Sequence, residues 1–478
     1  MSRLLPHRIG GERIAGPAAA ERRNPSDLSD LVATTPEGDA ALIDRAIAAA
    51  AAAQPGWAAR SPEARGDILD RAAALLIERA DDLGVLLARE EGKTCAEGRA
   101  EVVRAARIFR YFGGEALRLH GRSLASVRPG LEVSTRQEPL GVVGLITPWN
   151  FPIAIPAWKT APALAFGNAV VLKPAGITPA IISAMADALE DAGLPPGLFN
   201  LVFTPGSVAG RLVEDSRVAA LSFTGSTGVG RRLAVAAAEH GKRVQLEMGG
   251  KNPLVVLDDA DLDRAVAIAL DGAFFGSGQR CTASSRLIVT DGIHDRFVAA
   301  LTEAAARLRV GHALDPDTQI GPVASEEQRD TIEAYLSIAV EQGGRIACGG
   351  ERLRRPTEGY FLAPALITGT TAEMRVNREE IFGPVASVVR VADFDEALAV
   401  ANGSAFGLSA GIVTTSLAHA GAFRARAQAG MVMVNAPTAG VDYHVPFGGT
   451  KASSMGPREQ GFAAQDFYTR TKTAYVNA

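Results

Sequence analysis

Between residues 39 and 116 the apolar side chains recur three and four positions apart, the period of a helix with one buried face. Three segments carry it: "DAALIDRAIAAAAAAQPGWAA", "SPEARGDILDRAAALLIERADDLGVLLAREEG" and "AEGRAEVVRAARIFRYFGGEAL". "SPEA" at 61–64 marks a helix start, with Ser61 as cap and Pro62 in the first turn. The first 120 residues are therefore expected to be helical. "LEVSTRQEPLG", from Leu131, alternates as a strand does.

From Gly141 the pattern becomes strand, turn and helix in repetition. "GVVGLIT", "NAVVLKP", "GLFNLVF", "VAALSFTG" and "KRVQLEMGG" are short apolar strands, with "TPAIISAMADALEDAG" and "STGVGRRLAVAAAEHG" as helices among them. Continuous apolar strands alternating with helices predict a parallel sheet covered on both faces. Such a sheet binds ligands at the carboxyl ends of its strands. A second series runs from "NPLVVLDDADLDRAVAIALDGAFF" through "SRLIVTDG", "GYFLAPALI", "GPVASVVRV", "LSAGIVTT" and "GMVMVN". The chain closes on "DFYTRTKTAYVNA", an alternating tail with no partner in its own neighbourhood.

At 478 residues, 47% hydrophobic and 21% charged, the chain can bury a large core; at roughly 150 residues per domain it makes about three domains or one large enzyme. A net charge of -4 with no basic stretch argues against a nucleic-acid partner. "MSRLLPHRIGGERIAG" lacks a signal-peptide core, and no apolar run reaches membrane-span length. The three scattered cysteines, Cys95, Cys281 and Cys348, predict no disulfide framework and fit a reducing cytoplasm. No Cys or His spacing fits a zinc site, so no metal is expected.

One cysteine stands apart. Cys281 lies in "GSGQRCTASSR", among small and polar residues where a nucleophile is reachable. Taken alone it is equally a spectator thiol. Glu247 ends a strand beside two glycines, placed either as a general base or as a structural, salt-bridged carboxylate. Asn150 in "TPWNFP" is a turn residue or an oxyanion donor. "FTGSTGVG" lets backbone approach a phosphate at a helix N-terminus, although its spacing is not G-x-G-x-x-G. Lys173 ends another strand of the same sheet, and Glu380 and Phe382 share a Gly–Pro turn.

Taken in order, "PWNFP", "LKPA", "FTGST", "LEMGGK", "GQRC", "EEIFGP" and "PFGG" resemble the NAD(P)-dependent aldehyde dehydrogenase superfamily over nearly the whole chain. "IPAWKTAPALAFGN", "GQRCTASSRLIV", "GMVMVNAPTAGVDYHVPFGG" and "SSMGPREQG" are similar to the bacterial α-ketoglutaric semialdehyde (2,5-dioxovalerate) branch. The resemblance implies an α/β fold in three parts. Residues 1–118 and 138–249 would form a Rossmann-like cofactor domain and 250–450 a catalytic α/β domain. Residues 119–137 and 462–478 would form a small β element that joins subunits into a homodimer or homotetramer.

It also implies roles. Cys281 is the nucleophile that forms a thiohemiacetal and then a thioester, Asn150 the oxyanion donor, and Glu247 the base that activates the hydrolytic water. Ile146, Trp149, Lys173, Gly176, Gly225, Ser226, Met248, Glu380 and Phe382 are implied at the cofactor. Many NAD-preferring relatives carry Glu where this chain has Gly176, so NADP is expected to serve at least comparably to NAD. Arg280 is expected to face the substrate, anchoring a distal carboxylate and favouring the thiolate, with Trp158 and Phe151 as the apolar wall. The substrate expected is α-ketoglutaric semialdehyde, oxidised to 2-oxoglutarate. Succinate semialdehyde, or a broad range of aldehydes, is the alternative. Relatives that pass the acyl group to coenzyme A usually lack the base, so Glu247 argues against that chemistry. Intact Cys281, Glu247 and Asn150 argue against a catalytically dead relative.

Overall fold

The computed structural model describes residues 3–477. Ser61 caps the helix Pro62–Glu78 by accepting from the Ala64 N–H, as its sequence predicts. The long periodic segment after it is two helices, Pro62–Glu78 and Ala80–Glu91, broken at Arg79. The break lets Ala80–Glu91 lie close against Cys95–Glu115. A Cβ on Gly98 would stand 2.6 Å from the Gly84 carbonyl, so only glycine allows this crossing.

The expectation of an all-helical start is corrected before residue 39. Strands run at His7–Ile9, Glu12–Ile14, Ala20–Asn24 and Asp27–Thr35. They are short and rich in charge, and one pairs with a residue almost 200 positions away, Arg8 opposite Leu201. Local periodicity carries no trace of such pairing.

The first large sheet has eight strands. Its parallel centre is Arg243–Glu247, Val218–Thr224, Val142–Ile146, Ala169–Lys173 and Phe199–Leu201, in that spatial order. Register aligns the strand ends: Thr224 faces Glu247, Phe223 faces Ile146, and Ile146 faces Lys173. Four predicted strand ends thus become one edge, where α/β sheets bind ligands. The central strands are buried on both faces, which is why they read as unbroken apolar runs.

The second sheet has seven strands, Ser284–Thr290 and Asn252–Val256 among them, all parallel except the edge strand Arg345–Cys348. "GYFLAPALI" contributes a ladder strand only from Ala365. The chain passes from Glu247, at the carboxyl end of the first sheet, through residues 248–251 to Asn252, at the amino start of the second. Cys281 lies just before Ser284, also at an amino end. The cleft is therefore bounded by carboxyl ends on one side and amino ends on the other. The C-terminal strand Thr469–Asn477 finds its partner in Leu131–Pro139, antiparallel over nine residues, with Ser123–Ala125 as the third strand. Among the described residues no helix is long and apolar enough to cross a membrane.

Candidate active site

Three consecutive residues, Gly276, Ser277 and Gly278, take positive φ values of 60°, 52° and 61° just before Cys281. A side chain on Gly278 would run into the carbonyl of Gly383, so the "GSG" run is what lets the loop turn inward. Ser277, non-glycine in this region, is held by donating to the Gly321 carbonyl at 2.8 Å. Asn252 fixes the far side, its amide donating to the carbonyls of Cys281 and Ala283 at 2.8 and 2.9 Å. The loop's shape is over-determined, and the thiol is set by it.

The thiol opens onto a cavity of about 220 Å³ whose lining includes Trp149, Asn150, Thr224, Gly225, Ser226, Met248, Glu380 and Phe382. The Asn150 amide donates to the carbonyl of Gln279 at 3.0 Å, which holds it beside the thiol loop. Burial pushes the Cys281 thiol up to about 12, and Glu380 and Glu247 add to the shift. Backbone N–H groups of Cys281 and Thr282 oppose it. Glu247 is buried and accepts from Ser454 Oγ at 2.5 Å. Burial first, and then the charge of Glu459, hold its carboxyl well above the usual range. Beneath it, Lys159 donates to Ser222 Oγ at 2.7 Å and pairs with Glu459.

The same cavity carries groups that suit a phosphate and a ribose. A Cβ on Gly225 would lie 2.6 Å from the Phe223 ring, so backbone approaches closely there. Ser226 precedes the helix Thr227–Glu239 without a side-chain cap, leaving its first N–H groups for an anion. The buried Thr224 hydroxyl has no partner among the described residues. Glu380 accepts from the Gly250 N–H at 2.9 Å, and burial raises its carboxyl to about 7. Phe382, at φ 61°, stands edge-on to Trp149 with ring centres 5.4 Å apart. Gln328 pins that strained turn by donating to the carbonyls of Ile381 and Phe382. Lys173, partly buried, makes no ion pair or side-chain hydrogen bond with a described residue, and burial lowers its pKa. A Cβ on Gly176 would meet nothing within 4 Å. Ile146 is buried at the strand end and does not line the cavity.

A second cavity, about 320 Å³, shares Asn150 with the first and is lined also by Phe151, Lys93, Glu101, Arg104, Gln279 and Arg280. Arg280 reaches it, but its guanidinium turns back onto the helix Leu262–Phe274, donating to the carbonyls of Asp271 and Gly272. A cation at a helix C-terminus is favourable, and this is a structural contact. Trp158 is not in the lining of either cavity. It lies behind, against Phe447 at 5.5 Å and beneath Arg104 at 5.9 Å.

Several residues escaped the sequence reading. Lys159 had a signal, being the one charge in a helix, Ala154–Ala165, that is buried throughout. Lys93, Glu101 and Arg104 had none, since nothing local separates Arg104 from Arg99, Arg107 or Arg110 on the same helix. Gln328 comes from the helix Glu326–Glu341 and reaches the site only through tertiary packing.

Known proteins are similar to this chain over nearly its whole length. The aldehyde dehydrogenase family profile matches residues 15–474. An α-ketoglutarate semialdehyde dehydrogenase of Haloferax volcanii is 45% identical, covering 98% of each chain. The α-ketoglutaric semialdehyde dehydrogenase of Bacillus subtilis is 42% identical, covering 95% of this chain and 93% of the relative. The crystal structure of betaine aldehyde dehydrogenase from Staphylococcus aureus in complex with NAD+ superposes with a TM-score of 0.96 at 34% identity, covering 99% of this chain and 95% of that one. Matched by the family profile and by these relatives along nearly its whole length, the chain belongs to the aldehyde dehydrogenase family, NAD(P)-dependent oxidoreductases acting on aldehydes.

Proposed function

We propose that the chain oxidises an acid semialdehyde, α-ketoglutaric semialdehyde (2,5-dioxopentanoate), to 2-oxoglutarate with water as acyl acceptor. The observation that carries this reading is the meeting of Cys281 and Asn150 in one cavity with Glu247 close enough to shift the thiol's pKa. Cys281 gives up its thiol proton to solvent and attacks the aldehyde carbon as the thiolate. The Asn150 amide and the Cys281 backbone N–H receive the oxyanion of the thiohemiacetal. Bound NAD(P) supplies a hydride acceptor, and a thioester remains on Cys281. Glu247 takes a proton from water, whose oxygen adds to the thioester and displaces the thiolate as the acid forms. Burial holds the Glu247 carboxyl above its ordinary range, and it acts as a base from its deprotonated form.

Substrate choice rests on two supports. The relatives named above as semialdehyde dehydrogenases act on a carboxylated aldehyde. The substrate-side cavity also presents Arg104, which suits a carboxylate and disfavours the trimethylammonium head of betaine aldehyde. Succinate semialdehyde, carrying the same charge, belongs to the class.

For the cofactor, open space at Gly176 and an unpaired Lys173 support use of NADP at least comparable to NAD. The three-part division at 1–118 with 138–249, 250–450, and 119–137 with 462–478 is supported by the separate sheets. The small sheet bearing Thr469–Asn477 exposes Tyr475 and Val476 and would join copies into a homodimer or homotetramer. Three free cysteines support a cytoplasmic setting.

The test is a panel of acid, neutral and cationic aldehydes, each with NAD and with NADP, with and without coenzyme A. Comparable kcat/KM across the panel would remove the acid-semialdehyde reading, and dependence on coenzyme A would remove hydrolysis.

A further inference from the structure

A carboxylated substrate needs a cation whose terminal donors are free; the arginine next to the nucleophile has a buried, unpartnered Nε, as Arg104 does, but the end of its fork is engaged. Arg280 has its Nη2 on two helix carbonyls, and its Nη1 lies 3.8 Å from Asp271. Lys93 is also committed. It donates to Glu101 at 2.6 Å and to the Asn150 carbonyl at 2.8 Å.

Arg104 differs. It lines the substrate-side cavity from the helix Cys95–Glu115. No carboxylate lies within ion-pair distance of it among the described residues. Its one hydrogen bond is long, Nη2 to Gln460 Oε1 at 3.5 Å. Its Nε is buried without a partner, and so are Gln460 Nε2 and Trp158 Nε1. Arg104 touches both of these residues, lying over the Trp158 ring. Three neighbouring side chains therefore hold buried donors with no acceptor among the described residues, an unfavourable arrangement for each donor left unmet. The acidic neighbours do not supply one. Glu101 accepts from Lys93 and from the Ile153 and Ala154 N–H groups, and Glu97 from Thr94 and Gly276. Burial lowers the Arg104 pKa, against the opposing charges of Glu101, Asp442 and Cys281, and none of these makes an ion pair with it among the described residues.

We infer that Arg104, and not Arg280, anchors the distal carboxylate of the substrate. The inference rests on the acid-semialdehyde reading above. The carboxylate supplies the acceptor that the Arg104 fork lacks, and the Trp158 ring beneath keeps the guanidinium plane in place. Gln460 orients the fork from the other side.

The experiment compares wild type, Arg104→Met, Arg104→Lys and Arg280→Ala on 2,5-dioxopentanoate, 5-oxopentanoate and pentanal. Thermal midpoint and cofactor binding are recorded for each protein. Arg104→Met should lower kcat/KM for both acids by about tenfold to a hundredfold, mostly through KM, and leave pentanal within about threefold. Glutarate, as a competitive inhibitor, should weaken in step. Arg104→Lys keeps the charge without the fork, so it should lose less with the same selectivity and still report if the Met variant fails to fold. Arg280→Ala should change all three aldehydes alike. Equal losses on acids and pentanal in the Arg104 variants, or a selective loss in Arg280→Ala alone, would overturn the anchor while leaving the substrate class standing. A wild type that uses pentanal as well as the acids would end the substrate reading and the anchor with it.

Discussion

The Asn150 amide and the Gln279 carbonyl, 129 residues apart in the chain, are joined by a 3.0 Å hydrogen bond. It ties the segment that follows a strand of the first sheet to the loop that carries Cys281. The amide that would receive the oxyanion is thereby held against the thiol's own loop before substrate arrives. Lys93 secures the same residue from behind through its backbone carbonyl.

Asn150→Ala should lower kcat by about 10²–10³, the loss for one oxyanion donor, or ~2.7–4 kcal/mol. Cofactor binding, followed by fluorescence titration, should be unchanged. A kcat within threefold of wild type would show that the amide serves only the loop.

Cys281→Ala should abolish aldehyde oxidation and still bind cofactor. Glu247→Gln should slow deacylation, so that an acyl-enzyme accumulates and is seen as added mass on the intact protein. Turnover by the Cys281 variant, or no adduct in the Glu247 variant, would contradict the assigned roles.

With its pKa raised to about 12, the Cys281 thiol is protonated in the cofactor-free enzyme at neutral pH. Raising pH increases the thiolate fraction, so alkylation by iodoacetamide should speed up about tenfold per pH unit between pH 7 and 9. A rate that levels off near neutrality would show a thiol already ionised.

Gly176→Glu has room, since a Cβ there meets nothing within 4 Å. The new carboxylate would repel a 2′-phosphate and accept from a 2′-hydroxyl. The NAD-to-NADP ratio of kcat/KM should rise by the equivalent of ~1–3 kcal/mol. A wild type already preferring NAD by a hundredfold would defeat the argument.

Lys93 and Glu101 form a buried pair at 2.6 Å, their side chains 7% and 2% exposed. Lys93→Met leaves the Glu101 charge without its cation and should cost about 3–5 kcal/mol of stability. Lys93→Met with Glu101→Gln should recover part of it in thermal or urea melts. A double variant no better than the single would mean that the pair's charges are not what matters.

Local pattern alone determined much of this protein. The apolar strands of the first sheet, the Ser61 cap and the alternating tail follow from periodicities of two and 3.6 and from backbone chemistry that acts within a few residues. The ordered motifs around Asn150, Glu247 and Cys281 were legible because small and proline residues mark where backbone must turn sharply. Tertiary structure decided what those periods cannot encode. It split the long helix at Arg79 and joined Arg8 to Leu201. It brought Lys159 beneath Glu247, turned Arg280 onto a helix end and set Arg104 in the wall of the second cavity. Whether an arginine is free or committed depends on which carbonyls and carboxylates packing brings to it. Arg280 meets its carbonyls at a helix end that the turn of its own loop brings to it, whereas Arg104 meets Gln460 from 356 residues away, and neither outcome is written in the local pattern.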